Sequence, residues 1–539
     1  MKNLWQALMM VRRCDRWSFW RRVLYVLLQS LLPLVNLYLL KLMIDAVGAS
    51  VSGASEATAF LPYLLAMTAV FLLNRMIAAL DRVNNDVLGQ RLTDYMSDLM
   101  QRQAARLDLS YYDTPSYHDT FHRAQQEATS RPSLILANFM AVGGSLVSIA
   151  VVTVMLVSAS WWVVVVMVVA VIPSFIVRLY KAQSIYKFRR NNTQLYRRTA
   201  YYSYLLTSRE AAKEMRTYRL APHFRRLFVE LRARLVGRLL RISRSIGVAD
   251  MLCAVVEAAA MLAIVWLLAR QAFVGAITIG TFVMLFEAFR RGQGYLTSLV
   301  NGIAGLYDNR LFVGNLFEFL RLEPTIMPPD EPLPVPEHIE TIELRDVTFR
   351  YPDMQRDVLS HFNLTARVGE VTRLEGENGY GKSTVVKLLL RLYDPQQGTV
   401  LLNGTDIRRY RPEELRRRMG VLFQDFMRFN CTAGENITFG NIDTPATIKT
   451  AARHAGADSV VERLPEGYDT QLGRMFDGGQ ELSMGQWQRL ALARALQSDA
   501  PVLLLDEPVA WIDVNARQEF FHTLDTLKEN KIIILITHA

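Results

Sequence analysis

The run Gly376-Glu377-Asn378-Gly379-Tyr380-Gly381-Lys382-Ser383-Thr384 joins glycines to a lysine and two hydroxyls, a set suited to holding phosphate. It follows the apolar segment Val368–Leu374 and precedes the helix-like segment Val385–Leu392. A strand, a glycine loop and a helix in that order put phosphates on backbone N–H groups at a helix N-terminus. The glycines let the backbone wrap the phosphates where a Cβ would obstruct it. Lys382 suits the β/γ-phosphates, and the Ser383 hydroxyl suits Mg²⁺. Standing alone, such a match could be a chance glycine turn.

Further along, Val502-Leu503-Leu504-Leu505-Asp506-Glu507-Pro508 reads as a buried strand that delivers two carboxylates at its C-terminal tip. That tip is where ligands bind in a parallel α/β sheet. Asp506 is suited to the Mg²⁺ shell, and Glu507 to polarising a water that attacks the γ-phosphate. Two solvated carboxylates ending a strand is the bland alternative. Upstream, Glu481-Leu482-Ser483-Met484-Gly485-Gln486 opens a helix, with Ser483 as a candidate cap.

The ordered set comprises the glycine loop, Gln424 in Val421-Leu422-Phe423-Gln424-Asp425, the Ser483–Gln486 segment, the Asp506-Glu507 strand and Ile536-Thr537-His538. It resembles the nucleotide-binding domain of ATP-binding-cassette (ABC) proteins over residues 340–539. The resemblance implies that Tyr351, in Phe349-Arg350-Tyr351-Pro352, stacks on adenine and that Gly376–Thr384 cradle the phosphates of ATP. It implies an Mg²⁺ set of Ser383, Gln424 and Asp506. Glu507 would be the catalytic carboxylate, Gln424 would watch metal and water, and His538 would contact the γ-phosphate. Two such domains would pair head to tail, with Ser483, Gly485, Gln486 and Asp513 serving the interface with the other chain's ATP. The chain departs from the family at Met484, where Gly is usual, and in Val509-Ala510-Trp511-Ile512-Asp513, where only Asp513 keeps the pattern. It ends at Ala539, one residue past His538, where the family normally continues.

Positioning this site are some three hundred residues of a different character. The chain is 51% hydrophobic, with mean hydropathy +0.12. Its apolar runs concentrate ahead of residue 306, and about 20 helical residues cross a hydrocarbon core. Candidate spans are Val23–Leu42, Ala59–Leu80, Leu134–Val157, Trp161–Val177, Ile246–Leu268 and Thr281–Ala304, with Ser158-Ala159-Ser160 as a hairpin turn. Arg12, Arg13, Arg16, Arg21 and Arg22 precede the first span, whereas the connection Asp45–Thr58 holds no Lys or Arg. This asymmetry predicts a cytoplasmic N-terminus, and an even number of spans then puts the ATPase on the same side.

The basic connections 81–133 and 178–245 are too long for membrane turns and read as helical extensions with turn-bearing tips that could touch the ATPase. Those tips are Tyr111–Tyr117 and Ser208–Glu214; amphipathic surface helices are the alternative. Glu323–His338 carries six prolines and forms the linker. The fold class is therefore an α-helical transmembrane bundle followed by an α/β P-loop domain, divided as 1–322, 323–338 and 339–539. The whole resembles an ABC exporter half-transporter, a multi-pass protein of the bacterial cytoplasmic membrane that works with a second copy or a related half-transporter.

The net charge of +10 flanks spans rather than forming a groove with interleaved aromatics, so anionic headgroups are expected as partners and nucleic acid is not. Cys14, Cys253 and Cys431 have no metal or redox spacing, and no cleavable signal peptide is read, because the first apolar run follows Arg22. Charges inside spans are costly, so Asp250, Glu257, Glu287, Arg290, Arg291 and the Asn74-Arg75 pair should face a cavity or each other, as Glu287 and Arg291 would at i to i+4. Phe423–Phe429, Gly478–Ser483 and Gln486–Arg489 resemble exporters of lantibiotics and other bacteriocins, which implies a peptide cargo. Mixed charge in the spans suits such a peptide, whereas lipid or multidrug export and a catalytically weakened subunit are the competing readings. Residues 1–22 are too few for a fused Cys/His leader peptidase.

Overall fold

A computed structural model describes residues 2–51, 56, 58–114, 121, 131–157, 161–352, 354–377, 380–442, 448–511 and 514–537. The chain divides into two compact units, one of residues 1–105 and 120–321, the other of residues 106–119 and 322–539.

Long helices make up the first unit: Arg16–Val51, Leu61–Arg106, Arg131–Val157, Trp161–Asn191, Ala221–Phe273 and Ile279–Leu320. Among the described residues, five helical segments are long and apolar enough to cross a membrane: Arg16–Val51, Leu61–Arg106, Pro132–Val157, Trp161–Ile185 and Ala221–Phe273. Ile279–Leu320, which holds the sixth expected span, is a continuous 42-residue helix whose apolar run is broken by Glu287, Arg290 and Arg291. It joins the same apolar core, where its Leu285, Ala288 and Phe289 pack with Leu34, Val152, Met167 and Leu268. Helices of 46 and 53 residues far exceed what a bilayer needs, so the expected extensions are continuous with the spans. The turn expected at Ser158–Ser160 lies outside the described residues.

The charges inside these helices are mostly paired. Arg290 donates to Glu287 at 2.8 and 3.1 Å, while Arg291 sits 3.8 Å from the same carboxylate and donates to the Pro33 carbonyl at 3.1 Å. Ser174 donates to Glu257 at 2.6 Å. Arg75 lies over the Phe71 ring, Asn74 Oδ1 is buried without a partner among the described residues, and Asp250 is exposed.

The second unit holds two sheets. An antiparallel one has the order β2-β1-β4-β5, from β1 (Thr341–Phe349), β2 (Leu359–Arg367), β4 (Gln397–Leu402) and β5 (Thr405–Asp406). A parallel one has the order β3-β8-β7-β6, from β3 (Val371–Glu375), β6 (Met419–Leu422), β7 (Val502–Asp506) and β8 (Ile532–Thr537). Every residue of β7 is buried, as a strand covered on both faces of a parallel sheet requires. Leu504, Ile532 and Ile534 contribute to one core and Leu503, Leu505 and Ile533 to the other, so alternate side chains fill opposite faces.

Residues 106–119 belong to this unit, and the described part of the first expected tip touches it. The Tyr393 hydroxyl donates to Asp113, and Lys387 lies 3.9 Å from the same carboxylate. The side chain of Asp108 accepts from the backbone of Thr325 and Ile326 in the proline-rich segment. The rest of that tip, Pro115–Tyr117, lies outside the described residues. The second expected tip belongs to the helical unit, where Ala212–Thr217 forms a short helix.

Candidate functional site

Register in the parallel sheet explains why distant residues meet. Glu375 pairs with Thr537, Ile536 with Asp506, and Leu505 with Leu422. The C-terminal ends of four strands therefore lie side by side, and the residues that follow them, among them Gly376, Gln424 and Glu507, crowd one edge. Asn378, Gly379, Asp513 and His538 lie outside the described residues.

The loop after β3 leads into the helix Lys382–Leu389, with Gly381 as its N-cap at φ +80°. A side chain there would be strained by that φ, and its Cβ would stand 2.8 Å from the Leu359 side chain. Lys382 Nζ curls back to donate to the carbonyls of Gly376 and, at 3.4 Å, Thr537. Ser383 Oγ donates to Asp506 Oδ2 at 2.7 Å. The other carboxylate oxygen of Asp506 is buried with no partner among the described residues, on a residue only 3% exposed. Burial pushes the Asp506 carboxyl above the usual carboxylate range; the Ser383 hydrogen bond opposes this and the neighbouring Glu507 adds to it. A buried carboxylate oxygen lacking a donor, beside a serine hydroxyl, is a donor set that fits a hard cation such as Mg²⁺.

Glu507 accepts at Oε1 from Gln424 Nε2 at 2.9 Å. Its backbone is left-handed, φ +51°, an uncommon state for a residue with a side chain. Tyr351, Tyr380, Gly381, Lys382, Ser383, Thr384, Gln424 and Glu507 line one cavity of about 720 Å³. At its far side Tyr351 packs edge-on against Phe349 and Tyr393, and its hydroxyl lies 3.1 Å from Thr384 Oγ1. Lys387 sits over the same ring, 5.2 Å from its centroid. The cavity thus has an aromatic end, a phosphate-sized glycine cradle and a carboxylate end, the order that a nucleoside triphosphate requires.

Ser483, Gly485 and Gln486 are not among the residues lining that cavity. Ser483 caps the helix Met484–Gln497: its hydroxyl accepts from the Gln486 backbone N–H, and the Gln486 side-chain Oε1 accepts from the Ser483 N–H at 2.8 Å. Met484 is half exposed, with its sulfur 3.7 Å from Arg428. Sequence reasoning missed Gln488, which is buried and bonded to the loop after β7, and Tyr393, which joins Tyr351 to Asp113. A polar residue amid Trp487, Leu490 and Ala491 was the available signal for the first.

The family description "ABC transporter transmembrane region" matches residues 23–291, and "ABC transporter" matches residues 359–510. The chain belongs to the ABC transporters, with an N-terminal transmembrane region fused to a C-terminal ABC ATPase domain. It is an ATPase whose hydrolysis of ATP is coupled to transport across a membrane. The subtilin transport ATP-binding protein SpaT of Bacillus subtilis is 26% identical over 100% of this chain and 88% of its own length. The nisin transport ATP-binding protein NisT of Lactococcus lactis is 26% identical over 87% of this chain and 79% of its own. An ATP-dependent lipid A-core flippase of Syntrophus aciditrophicus is 37% identical, over 50% of this chain and 44% of its own. In fold, a solved bacterial Atm1-family ABC exporter with ATP bound aligns with TM-score 0.78 and 22% identity, covering 96% of this chain and 91% of that one.

Proposed function

We infer that this chain is one half of a dimeric exporter of ribosomal peptides, working in a bacterial cytoplasmic membrane with its N-terminus and ATPase in the cytoplasm. One observation carries the cargo reading. Similarity to the subtilin and nisin transport proteins extends over 100% and 87% of the chain, whereas the stronger identity to the lipid flippase covers 50%. Cargo is handled by the membrane unit, so relatives that match across both units bear more directly on it.

At the ATP site, Tyr351 stacks on adenine and the Gly376–Thr384 backbone receives the phosphates, with Lys382 exchanging its carbonyl contacts for the β/γ-phosphates. Ser383 and Asp506 would hold Mg²⁺, with Gln424 beside them; the ion would supply charge neutralisation at the phosphates. Glu507, held by Gln424, takes the proton of the attacking water. His538 would contact the γ-phosphate. Ser483, Gly485, Gln486 and Asp513 would serve the partner chain's nucleotide, the capped helix N-terminus supplying N–H groups and a favourable dipole. Closure of the two ATPase domains on ATP would turn the membrane cavity outward, and hydrolysis would reset it.

Reconstitution decides the cargo. Purified chain in proteoliposomes should show ATPase stimulation and uptake with a modified peptide encoded beside it, and not with lipids or cationic dyes. Stimulation by lipids or dyes with none by peptide refutes the peptide reading. Met484 and the Val509–Asp513 loop favour a second reading, a catalytically weakened subunit, which predicts no hydrolysis by this chain alone.

A further inference from the structure

The geometry points to Gln488 as a positioning residue for ATP hydrolysis, one that clamps the loop carrying Glu507 and so aims its carboxylate. This rests on the reading of Glu507 as the general base. Gln488 is 2% exposed, in the second turn of the helix that Ser483 caps. Its amide uses both ends on one loop: Nε2 donates to the Glu507 carbonyl at 2.8 Å, and Oε1 accepts from the Trp511 N–H at 3.0 Å. At the first of those anchors Glu507 itself stands in the left-handed region, a conformation that persists only where its surroundings over-determine it. The Glu507 N–H, bonded to the Ile536 carbonyl at 3.1 Å, fixes the other side of the residue.

Helix and loop also touch by backbone. A Cβ on Gly485 would lie 2.4 Å from the Trp511 carbonyl oxygen, so only glycine admits this approach. The helix beginning at Ser483 and the loop beginning at Glu507 therefore shift together. Gln488 is the side chain that ties the segment proposed to meet the partner's ATP to the base of this chain's own site.

The test uses the full chain in lipid with MgATP. Gln488→Met keeps the side-chain length but removes both hydrogen bonds. Turnover should fall by about tenfold or more, with ATP affinity within about twofold of the parent, since two buried hydrogen bonds are lost away from the nucleotide. Gln488→Glu is the conservative partner. Its protonated acid can donate to the Glu507 carbonyl and accept from Trp511, whereas its carboxylate can only accept. Hydrolysis by this variant should thus fall as pH rises, a limb absent from the parent and from any role in packing alone. In a Glu507→Gln background, Gln488→Met should cost nothing further, because coupled sites do not add. Turnover of Gln488→Met within twofold of the parent overturns the proposal, as does a flat pH comparison between Gln488→Glu and parent. A further tenfold loss in the Glu507→Gln background overturns it too, by showing action elsewhere. Parental hydrolysis by Glu507→Gln alone overturns the general-base reading itself, and that result is read without any Gln488 variant. Where Gln488→Met loses ATP binding and so reports misfolding, the pH profile of Gln488→Glu decides.

Discussion

Replacing Glu507 by Gln isolates one function of the site. Glutamine keeps the shape of the side chain, and its amide oxygen can still accept from Gln424 Nε2, as the carboxylate does at 2.9 Å. The clamp from Gln488 and the bond to Ile536 use main-chain atoms of residue 507 and are untouched. What disappears is proton acceptance. Positioned general bases contribute roughly 10²- to 10⁴-fold, which is about 3–5 kcal/mol of barrier. A second effect follows from charge. After burial, the Glu507 carboxylate is among the groups that hold the Asp506 carboxyl up. With a neutral side chain at 507, Asp506 ionises at lower pH, and MgATP binding should persist to lower pH than in the parent. Phosphate release and MgATP binding, measured on the full chain in nanodiscs across pH, read both effects. Residual hydrolysis within tenfold of the parent refutes the base assignment. Loss of ATP binding would show that Glu507 holds nucleotide rather than water.

Tyr351→Ala should weaken ATP binding by about tenfold or more and Tyr351→Trp should not, because ring stacking on a base contributes roughly 1–3 kcal/mol. Equal affinities measured by calorimetry would sink the stacking role. Gly485→Ala drives a methyl to 2.4 Å from the Trp511 carbonyl and should lower both the unfolding midpoint and turnover, at a cost of roughly 1–3 kcal/mol; parental values for both would refute the close approach. Asp506, with its carboxyl raised, contributes stability that is fully present below its unfolded pKa and is lost as pH rises through the folded one. Mildly acidic pH should therefore stabilise the nucleotide-free chain while weakening its protection by MgATP, and Asp506→Asn should flatten both trends in thermal unfolding. Asp113→Asn, which alters the carboxylate that Tyr393 and Lys387 share, should reduce cargo stimulation of hydrolysis while leaving basal hydrolysis in place; unchanged stimulation counts against that contact as a route of coupling.

What could be read from the sequence was whatever is local or dictated by one periodicity. The apolar run Val502–Leu505 ending in Asp506-Glu507 signals a buried parallel strand with its chemistry at the tip, and β7 is that strand. The glycine loop before Lys382 likewise signals strand, loop and helix, and the structure supplies β3 and Lys382–Leu389 around it. The Glu287–Arg291 pairing followed from helical spacing alone, although Arg290 takes the shorter contacts because its guanidinium reaches the same carboxylate from i+3. Contacts set by tertiary approach left no such trace. Tyr393 and Asp113 are 280 residues apart; the tip that holds Asp113 was expected to touch the ATPase, but nothing in the sequence marked Tyr393 as its partner. Ser174 and Glu257 meet across two helices whose relative rotation no single-helix pattern states.

The left-handed backbone of Glu507 shows most clearly why. Nothing in Asp506-Glu507-Pro508 requests a positive φ, and Pro508 pushes the residue before it toward extended conformations. The turn closes on a local bond from the Ala510 N–H to the Glu507 carbonyl at 3.3 Å and is held from outside by the Ile536 carbonyl on one side and the buried Gln488 amide on the other. A motif names the residue that carries the chemistry, whereas the direction in which that residue points is fixed by partners outside the motif. Gln488 reads in the sequence as one polar residue in an apolar helix face. In the structure its side chain bonds the capped helix to the loop on which the proposed base is held.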